Sequence, residues 1–219
     1  MVQAIFKSWF VDFEPFGGEI PRYWQTGMLR DVCSYSAERT SVSTLTLDTY
    51  LSTESMSINK GGFKKSTSLP AVSHTTAFLP GDTLVSNIRP YFKKIAYCDF
   101  PGGCSTDVLC FHPHKSNLSL YVFNLLYQNR FFDYMVAGSK GTKMPRGDKQ
   151  QIMNYSIAIP TDAVLDEFNS SVSPMTDKQY LLETESTDLA LLRDTLLPHL
   201  MSGELLVAGM DIDSTEVSL

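Results

Sequence analysis

The sequence has no run of about eighteen apolar residues, so it offers no helix able to span a bilayer. Its opening stretch, MVQAIFKSWFVDFEPF, carries an acidic, aromatic flank where a secretory signal needs a basic segment and a small-residue cleavage site. The expected location is the cytoplasm. Cysteine is scarce too, with four in 219 residues, which excludes a disulfide scaffold for a chain of this size. Cys98, Cys104 and Cys110 fall six apart, with His112 and His114 just beyond, and so raise the question of a metal. Zinc sites bring ligands in close C-x2-C or H-x3-H pairs, and this stretch has neither, so no metal is expected and strand cysteines are the plainer reading.

The marks of catalysis are missing as well. There is no G-x-S-x-G elbow, no G-x-x-x-x-G-K-S/T phosphate loop, no G-x-G-x-x-G opening a helix and no H-E-x-x-H. A nuclease needs clustered carboxylates to hold a divalent metal. An amino-methyltransferase needs a cofactor loop and an N/D-P-P-Y/F/W-type tetrapeptide, and neither is present. Binding without turnover, and without a cofactor, is the expectation.

What the chain does have is an ordinary globular balance, 43% hydrophobic and 19% charged, enough for one good core or two modest ones. Its net charge of −6 argues against a partner rich in phosphate until its distribution is followed. Residues 56–152 hold twelve Lys or Arg against five Asp or Glu, a local +7. Residues 1–55 stand at −3 and residues 153–219 at −10. A basic middle between acidic ends suits a chain that meets a polyanion with one part and a protein with another.

Along the chain, Val2, Ile5, Phe6, Trp9, Phe10 and Phe13 recur at helical spacing until Pro15 and Gly17-Gly18 end the run. This greasy face either packs on its own domain or meets a partner, with Phe6, Trp9 and Phe10 as its contact residues. From about Leu29 to Phe111 the signals are those of strands: TLTLDTYLST, HTTAFLPGD, TLVSNI, KIAYCD and DVLCFH, punctuated by Pro80-Gly81, Pro90 and Pro101-Gly102-Gly103. Leu120–Met135 reads as one helix, and a polar loop, GSKGTKMPRGDKQQ, leads to a last strand, YSIAIP. Pro160-Thr161 starts a helix that Pro174 interrupts.

Beyond Pro174 a longer helix can run to about Met201, with Leu182, Leu189 and Leu196 seven apart and Leu192 and Leu200 on the same side. It has the look of a pairing helix, although so short a seam also fits an amphipathic helix lying on its own domain. Glu183, Glu185, Asp188 and Asp194 give it an acidic outer side suited to protein contact. Pro198 should bend its final turn, Gly203 should stop it, and 204–219 should fray.

Five stretches, in order, resemble the specificity subunits of Type I restriction-modification systems, and they extend over nearly the whole chain. QAIFKSWFVDFEPF is similar to the end of a spacer helix, and YLSTESMSINKGGF to the early strand and loop of a target-recognition domain. PGDTLVSNIRPYFKKIAYCDFPGGCSTDVLCF resembles that domain's central segment, FFDYMVAGSKGTKMPRGDKQQIMNYSIAIP its closing part, and LALLRDTLLPHLMSGEL the helix that ends many members. The resemblance implies a mixed α/β (α+β) target-recognition domain with a long C-terminal spacer helix that can pair antiparallel with a partner helix. It places the spacer end at 1–16, the recognition domain at 17–160, the conserved helical region at 161–203 and a tail at 204–219.

It also implies a non-catalytic subunit that reads double-stranded DNA and docks methylation and restriction subunits, the assembled complex being a site-specific deoxyribonuclease and adenine methyltransferase. Family members usually carry two recognition domains and two spacer helices, whereas this chain has one of each and the stub of a second helix. It stands as half a subunit, natural or truncated. Two copies paired through spacer helices would rebuild the whole and read a palindromic split site. A helix from Met175 to Met201 spans roughly 40 Å at about 1.5 Å per residue, near one turn of B-DNA.

The candidate DNA contacts are the basic loops of the middle segment, each weighed against a merely solvated charge. Lys140, Thr142, Lys143 and Arg146 share one loop in which Gly138 and Gly141 let backbone approach closely. Arg89, between Asn87 and Pro90-Tyr91, either bonds guanine in bidentate fashion or is clamped by a carboxylate such as Asp107. Lys60, Lys64 and Lys65 flank Gly61-Gly62 and are placed to grip phosphates, while Lys93 and Lys94 either do the same or cover a strand edge. The competing function is a structural or inhibitory protein that occupies partners through its acidic helix and aromatic N-terminus without reading DNA.

Overall fold

The structure, a computed structural model, describes residues 1–202, with all side chains there except those at 177, 179, 180, 183, 184 and 187. The chain divides into two compact units, Met1–Ser171 and a second beginning at Val172. The stop expected at Gly203 and the tail at 204–219 lie outside the described residues.

The first unit opens with helix α1 (Val2–Phe10) and then runs almost entirely in strands. These are β1 (Gln25–Met28), β2 (Cys33–Tyr35), β3 (Arg39–Ser41), β4 (Tyr50–Leu51), β5 (His74–Phe78), β6 (Thr83–Ser86), β7 (Ile95–Tyr97), β8 (Gly102–Cys104) and β9 (Val108–Pro113). Helices α2 (Ser119–Leu126), α3 (Asn129–Ala137) and α4 (Lys149–Met153) follow, then β10 (Ser156–Ile159). Helix α5 (Asp162–Met201) begins in this unit and continues into the second. The expected mixture of sheets and helices is what the structure contains.

Two four-stranded sheets carry the unit. One has the order β2-β9-β6-β7 and is antiparallel throughout; the other has the order β3-β5-β8-β4, with β4 and β8 parallel. A third pairing, β1 with β10, ties the start of the unit to its end, Gln25 opposite Ile159 and Met28 opposite Ser156. In β6 every residue is buried, and in β9 only His112 is exposed, as befits central strands covered on both faces. Between the sheets lies a core of Leu51, Met56, Phe78, Leu84, Ala96, Cys98, Cys104, Val108 and Cys110. Asp82, buried at 1% exposure, is satisfied inside it: its carboxylate accepts from Leu79 N–H at 2.8 Å and from the Cys110 thiol at 3.3 Å, and meets His112 Nδ1 at 2.6 Å.

Several sequence expectations give way to tertiary structure. Of TLTLDTYLST only Tyr50-Leu51 is strand, because Thr46 and Thr49 hydroxyls bond nearby backbone N–H groups and hold a local turn. Conversely, Gly102-Gly103-Cys104, which reads as a turn, is the strand β8. A Cβ on Gly102 would overlap the Thr49 carbonyl and the Phe78 ring, so glycine lets β8 slide between β4 and β5.

The single helix expected over Leu120–Met135 is two. Gln128 adopts extended ψ of 144°, and its side-chain amide bonds the α2 carbonyl of Asn124 at 3.0 Å and Gln3 Oε1 at 2.9 Å. The break lets α3 bury Phe131, Phe132 and Met135 while α2 buries Tyr121, Val122 and Leu126. At the other end, α5 passes through Pro174 instead of stopping there. One lost backbone bond in a helix of 40 residues does not end it.

The aromatic face of α1 is spent inside its own unit. Phe6 and Phe10 are buried, with Phe10 centred 5.1 Å from Tyr121, 5.0 Å from Phe168 and 5.7 Å from Trp24. Trp9 is half-buried against Phe10, Phe16 and Phe168. Phe6 and Phe10 therefore pack within the first unit, and exposing them to a partner would open its core. The leucines of the second unit differ: Leu182, Leu189, Leu192, Leu196 and Leu200 all lie exposed, at 38 to 58%.

Candidate nucleic-acid interface

Three loops of the basic segment are stitched together by main-chain hydrogen bonds. The first, Lys140–Arg146, closes on itself: Lys140 N–H donates to Arg146 C=O and Arg146 N–H to Lys140 C=O, each at 2.9 Å. Gly141 turns it with φ of +100°, a conformation L side chains rarely adopt. The second loop follows β6 and is bound to the first by Arg89 N–H to Pro145 C=O at 2.8 Å and Gly147 N–H to Asn87 C=O at 3.2 Å. It continues into a 3₁₀ turn at Pro90–Phe92 and meets the third, around Asn59-Lys60, through Asn59 N–H to Phe92 C=O and Lys60 N–H to Lys93 C=O, both 2.8 Å.

Left-handed backbone concentrates at this junction. Five non-glycine residues have positive φ among the described residues, and four of them, Asn59, Lys60, Arg89 and Lys93, lie in these two loops. Each such residue costs on the order of 1–3 kcal/mol and persists only where its surroundings over-determine it, as they do at functional sites. The hydrogen bonds just named supply that constraint. They hold the basic side chains on a rigid frame.

Ion pairs then sort the cations into anchored and available. Arg146 pairs with Asp107 at 2.9 Å and Lys140 with Asp148 at 2.6 Å, so both brace the loop that carries them. The carboxylate expected to clamp Arg89 is thus taken by Arg146, and Arg89 has no side-chain partner among the described residues. Thr142 and Lys143 are exposed at the loop tip and likewise unpartnered there. Lys60 and Lys93 both donate to Asn129 Oδ1, at 2.9 and 3.1 Å, and the Lys60 ammonium sits 4.7 Å from the centre of the Tyr127 ring. Partial burial, and next the Lys93 charge, lower the Lys60 pKa against an opposing effect of Asp133.

Lys64 and Lys65 are not part of this junction. Lys65 pairs with Asp48 at 2.9 Å, and Lys64 N–H donates to Ser55 C=O, which ties both to the segment around Leu47–Ser55. Lys94 reaches the Thr53 carbonyl. Three participants escape the sequence reading: Asn59, Asn129 and Tyr91, a ring 48% exposed between Arg89 and Lys93. Asn59 before Lys60-Gly61-Gly62 is a left-handed signal that a turn-based reading can find. Asn129 is hidden within what looks like one apolar helix.

Asp148 caps α4 by accepting from Gln150 and Gln151 N–H at 3.0 and 3.2 Å. Its bond from Lys140, then those from the two amides, hold its carboxyl below the usual range. Since the folded pKa is depressed, this carboxylate's contribution is present above the unfolded carboxylate pKa and is lost as pH falls through the folded value. Below about pH 4 the 140–147 loop should loosen, seen as faster amide exchange at Gln150 and Gln151 than in the core strands.

The cysteines take no part. All four are buried, and burial, followed by the Asp82 charge, pushes Cys104 up to about 12 and Cys98 well above an ordinary thiol. Among the described residues no three His, Cys, Asp or Glu side chains are grouped to hold a metal. Nor is any helix there long and apolar enough to cross a membrane.

The fold is shared with solved subunits of Type I restriction-modification systems. The chain superimposes on a solved chain from the complex assembly and conformational transition of the type I R-M system, TM-score 0.53, with 19% identity over 90% of this chain and 53% of that one. On the type I restriction-modification S subunit of M. genitalium the TM-score is 0.52, with 12% identity over 84% of this chain and 48% of that one. No family model matches.

In sequence, the chain is similar to the specificity subunit of the Type I restriction enzyme MjaIX of Methanocaldococcus jannaschii, 24% identical over 93% of this chain. It spans about half the length of that curated relative, 52%.

Proposed function

We propose that the chain is a DNA-recognition module of a Type I restriction-modification complex, reading one half of a bipartite target in the cytoplasm and doing no chemistry of its own. Residues 17–160 serve as the recognition domain and 161–203 as the helical region that docks methylation and restriction subunits. The observation that carries the reading is the loop junction: Arg89 and Lys143, free of carboxylates among the described residues, stand on backbone fixed by neighbouring loops. A rigid fork such as Arg89 can specify a base edge and a fixed cation such as Lys143 can meet a phosphate. The relative's printed role favours this over a protein that only occupies partners. Duplex affinity of the chain, with the methylation subunit present, should fall steeply as salt is raised from about 50 to 200 mM. Affinity indifferent to salt would leave the basic junction without a role.

The exposed leucines of the second unit suit self-pairing. Two copies joined through Leu182, Leu189, Leu192, Leu196 and Leu200 would present two recognition domains with two-fold symmetry, and so a palindromic split target. Light scattering should then give the mass of a dimer that Leu189→Glu with Leu196→Glu converts to monomer. A monomeric parent chain at every concentration would refute self-pairing and point to a different helix as partner.

A further inference from the structure

The convergence of Lys60 and Lys93 on one amide oxygen is unusual in its electrostatics. Two ammonium groups donate to the same neutral atom, Asn129 Oδ1, at 2.9 and 3.1 Å, and neither makes an ion pair among the described residues. Like charges so placed repel, and the Lys60 pKa is lowered first by partial burial and next by the Lys93 charge. Three features hold them there. The Lys60 N–H to Lys93 C=O bond fixes their backbones, both residues are in left-handed conformation, and Tyr127 lies under the Lys60 ammonium.

The surroundings define the ligand. Asp133 is the carboxylate felt by Lys60, and it forms no ion pair with either lysine among the described residues. Asn129 is the first residue of the nine-residue helix α3, whose N-terminal dipole favours an anion. An oxyanion bridging the two ammonium groups would relieve their repulsion, as one carbonyl oxygen does only weakly. A carboxylate side chain would have served a purely structural role better.

We propose that Lys60, Lys93 and Asn129 form a preformed phosphate clamp that takes one backbone phosphodiester of the duplex whatever its base sequence. The inference rests on the DNA-reading function above and adds a division of labour: the clamp sets register, while Arg89 meets base edges.

The test uses the full chain with its methylation subunit, a random-sequence duplex and a selected duplex, and inorganic phosphate as a separate probe. Lys60→Gln and Lys93→Gln should each weaken both duplexes by the same factor, about tenfold or less, and lower the salt slope by about one. Inorganic phosphate should shift the Asn129 side-chain amide resonance of the parent chain and not of either variant. If the parent binds duplex and both variants keep its affinity and slope, the clamp is overturned while the DNA reading stands. If the parent binds no duplex but phosphate shifts Asn129, the clamp stands as a phosphate site and the DNA reading falls. No phosphate shift in the parent overturns the clamp in either case.

Discussion

Lys143→Glu should cost the chain most of its duplex affinity, and Arg89→Ala most of its ability to tell one duplex from another. The two residues differ in what they can reach. Lys143 is a point charge at the tip of a loop whose ends are pinned by the reciprocal Lys140–Arg146 bonds and whose flanks are neutralised by Asp148 and Asp107. It is the tip's net charge, so reversing it replaces attraction to phosphate by repulsion. A loss on the order of a hundredfold at low salt is expected, shrinking as salt is added.

Arg89 is a planar fork with no internal partner among the described residues, held by left-handed backbone against Pro145. A bidentate arginine discriminates by about 1–3 kcal/mol, so its removal should flatten the preference for the selected duplex about ten- to a hundredfold and leave random-sequence binding nearly intact. Anisotropy titrations on both duplexes separate the two effects. Lys65→Gln is the matched control: that lysine lies outside the loop junction, beside Asp48, so neither quantity should move by more than about twofold.

Gly102→Val should abolish the folded first unit. A Cβ at Gly102 overlaps the Thr49 carbonyl and the Phe78 ring, and valine adds two further methyls. Thr49 C=O already accepts from Gly103 N–H at 3.0 Å as β8 runs beside β4, so the backbone cannot retreat without breaking the parallel pairing of the second sheet. Phe78 is 1% exposed and part of the core. Displacing both costs several kcal/mol, at least about 4, comparable to the whole stability of a domain. The protein should be recovered insoluble, or with no cooperative thermal transition. Gly103→Ala is the informative contrast, because its methyl meets side chains and no backbone: the end of Leu45 at 2.6 Å, which can turn aside, and the Thr75 methyl at 2.7 Å, which can turn only by giving up the Thr75 hydroxyl bond to Cys104 C=O. It should fold with a lowered Tm.

How far the sequence carries the fold depends on whether a residue's role is local. The runs HTTAF, TLVS, IAY and VLCFHP become strands because their β-branched and aromatic side chains suit a covered sheet at any register. The strand Gly102-Gly103-Cys104 could not be read in this way, since what makes it a strand is the space left by Phe78 and Thr49, which are distant in sequence. The break at Gln128 has the same character: it is stabilised by Gln3, 125 residues away.

The interface is legible in part for the same reason. Charge clustering finds Lys60, Arg89, Lys93, Lys140, Lys143 and Arg146, but cannot say that Asp107 and Asp148 occupy two of them. That division needs the loops to be folded against one another. Lys64 and Lys65 look equivalent to Lys60 along the chain and are separated from it only by the tie to Leu47–Ser55. The face of α1 shows the limit most clearly: its spacing fits partner contact and self-packing equally, and only the rings of Tyr121, Trp24 and Phe168 decide between them.

The most direct test of the central claim is selection of duplexes from a randomised pool by the chain together with its methylation subunit, followed by sequencing over successive rounds. The account predicts enrichment of a short defined half-site, repeated as an inverted copy across a fixed spacer if two chains pair, and lost in Arg89→Ala. Retention of duplexes with no sequence enrichment after several rounds would contradict it, because a rigid basic junction that grips DNA without choosing among bases is not a recognition domain.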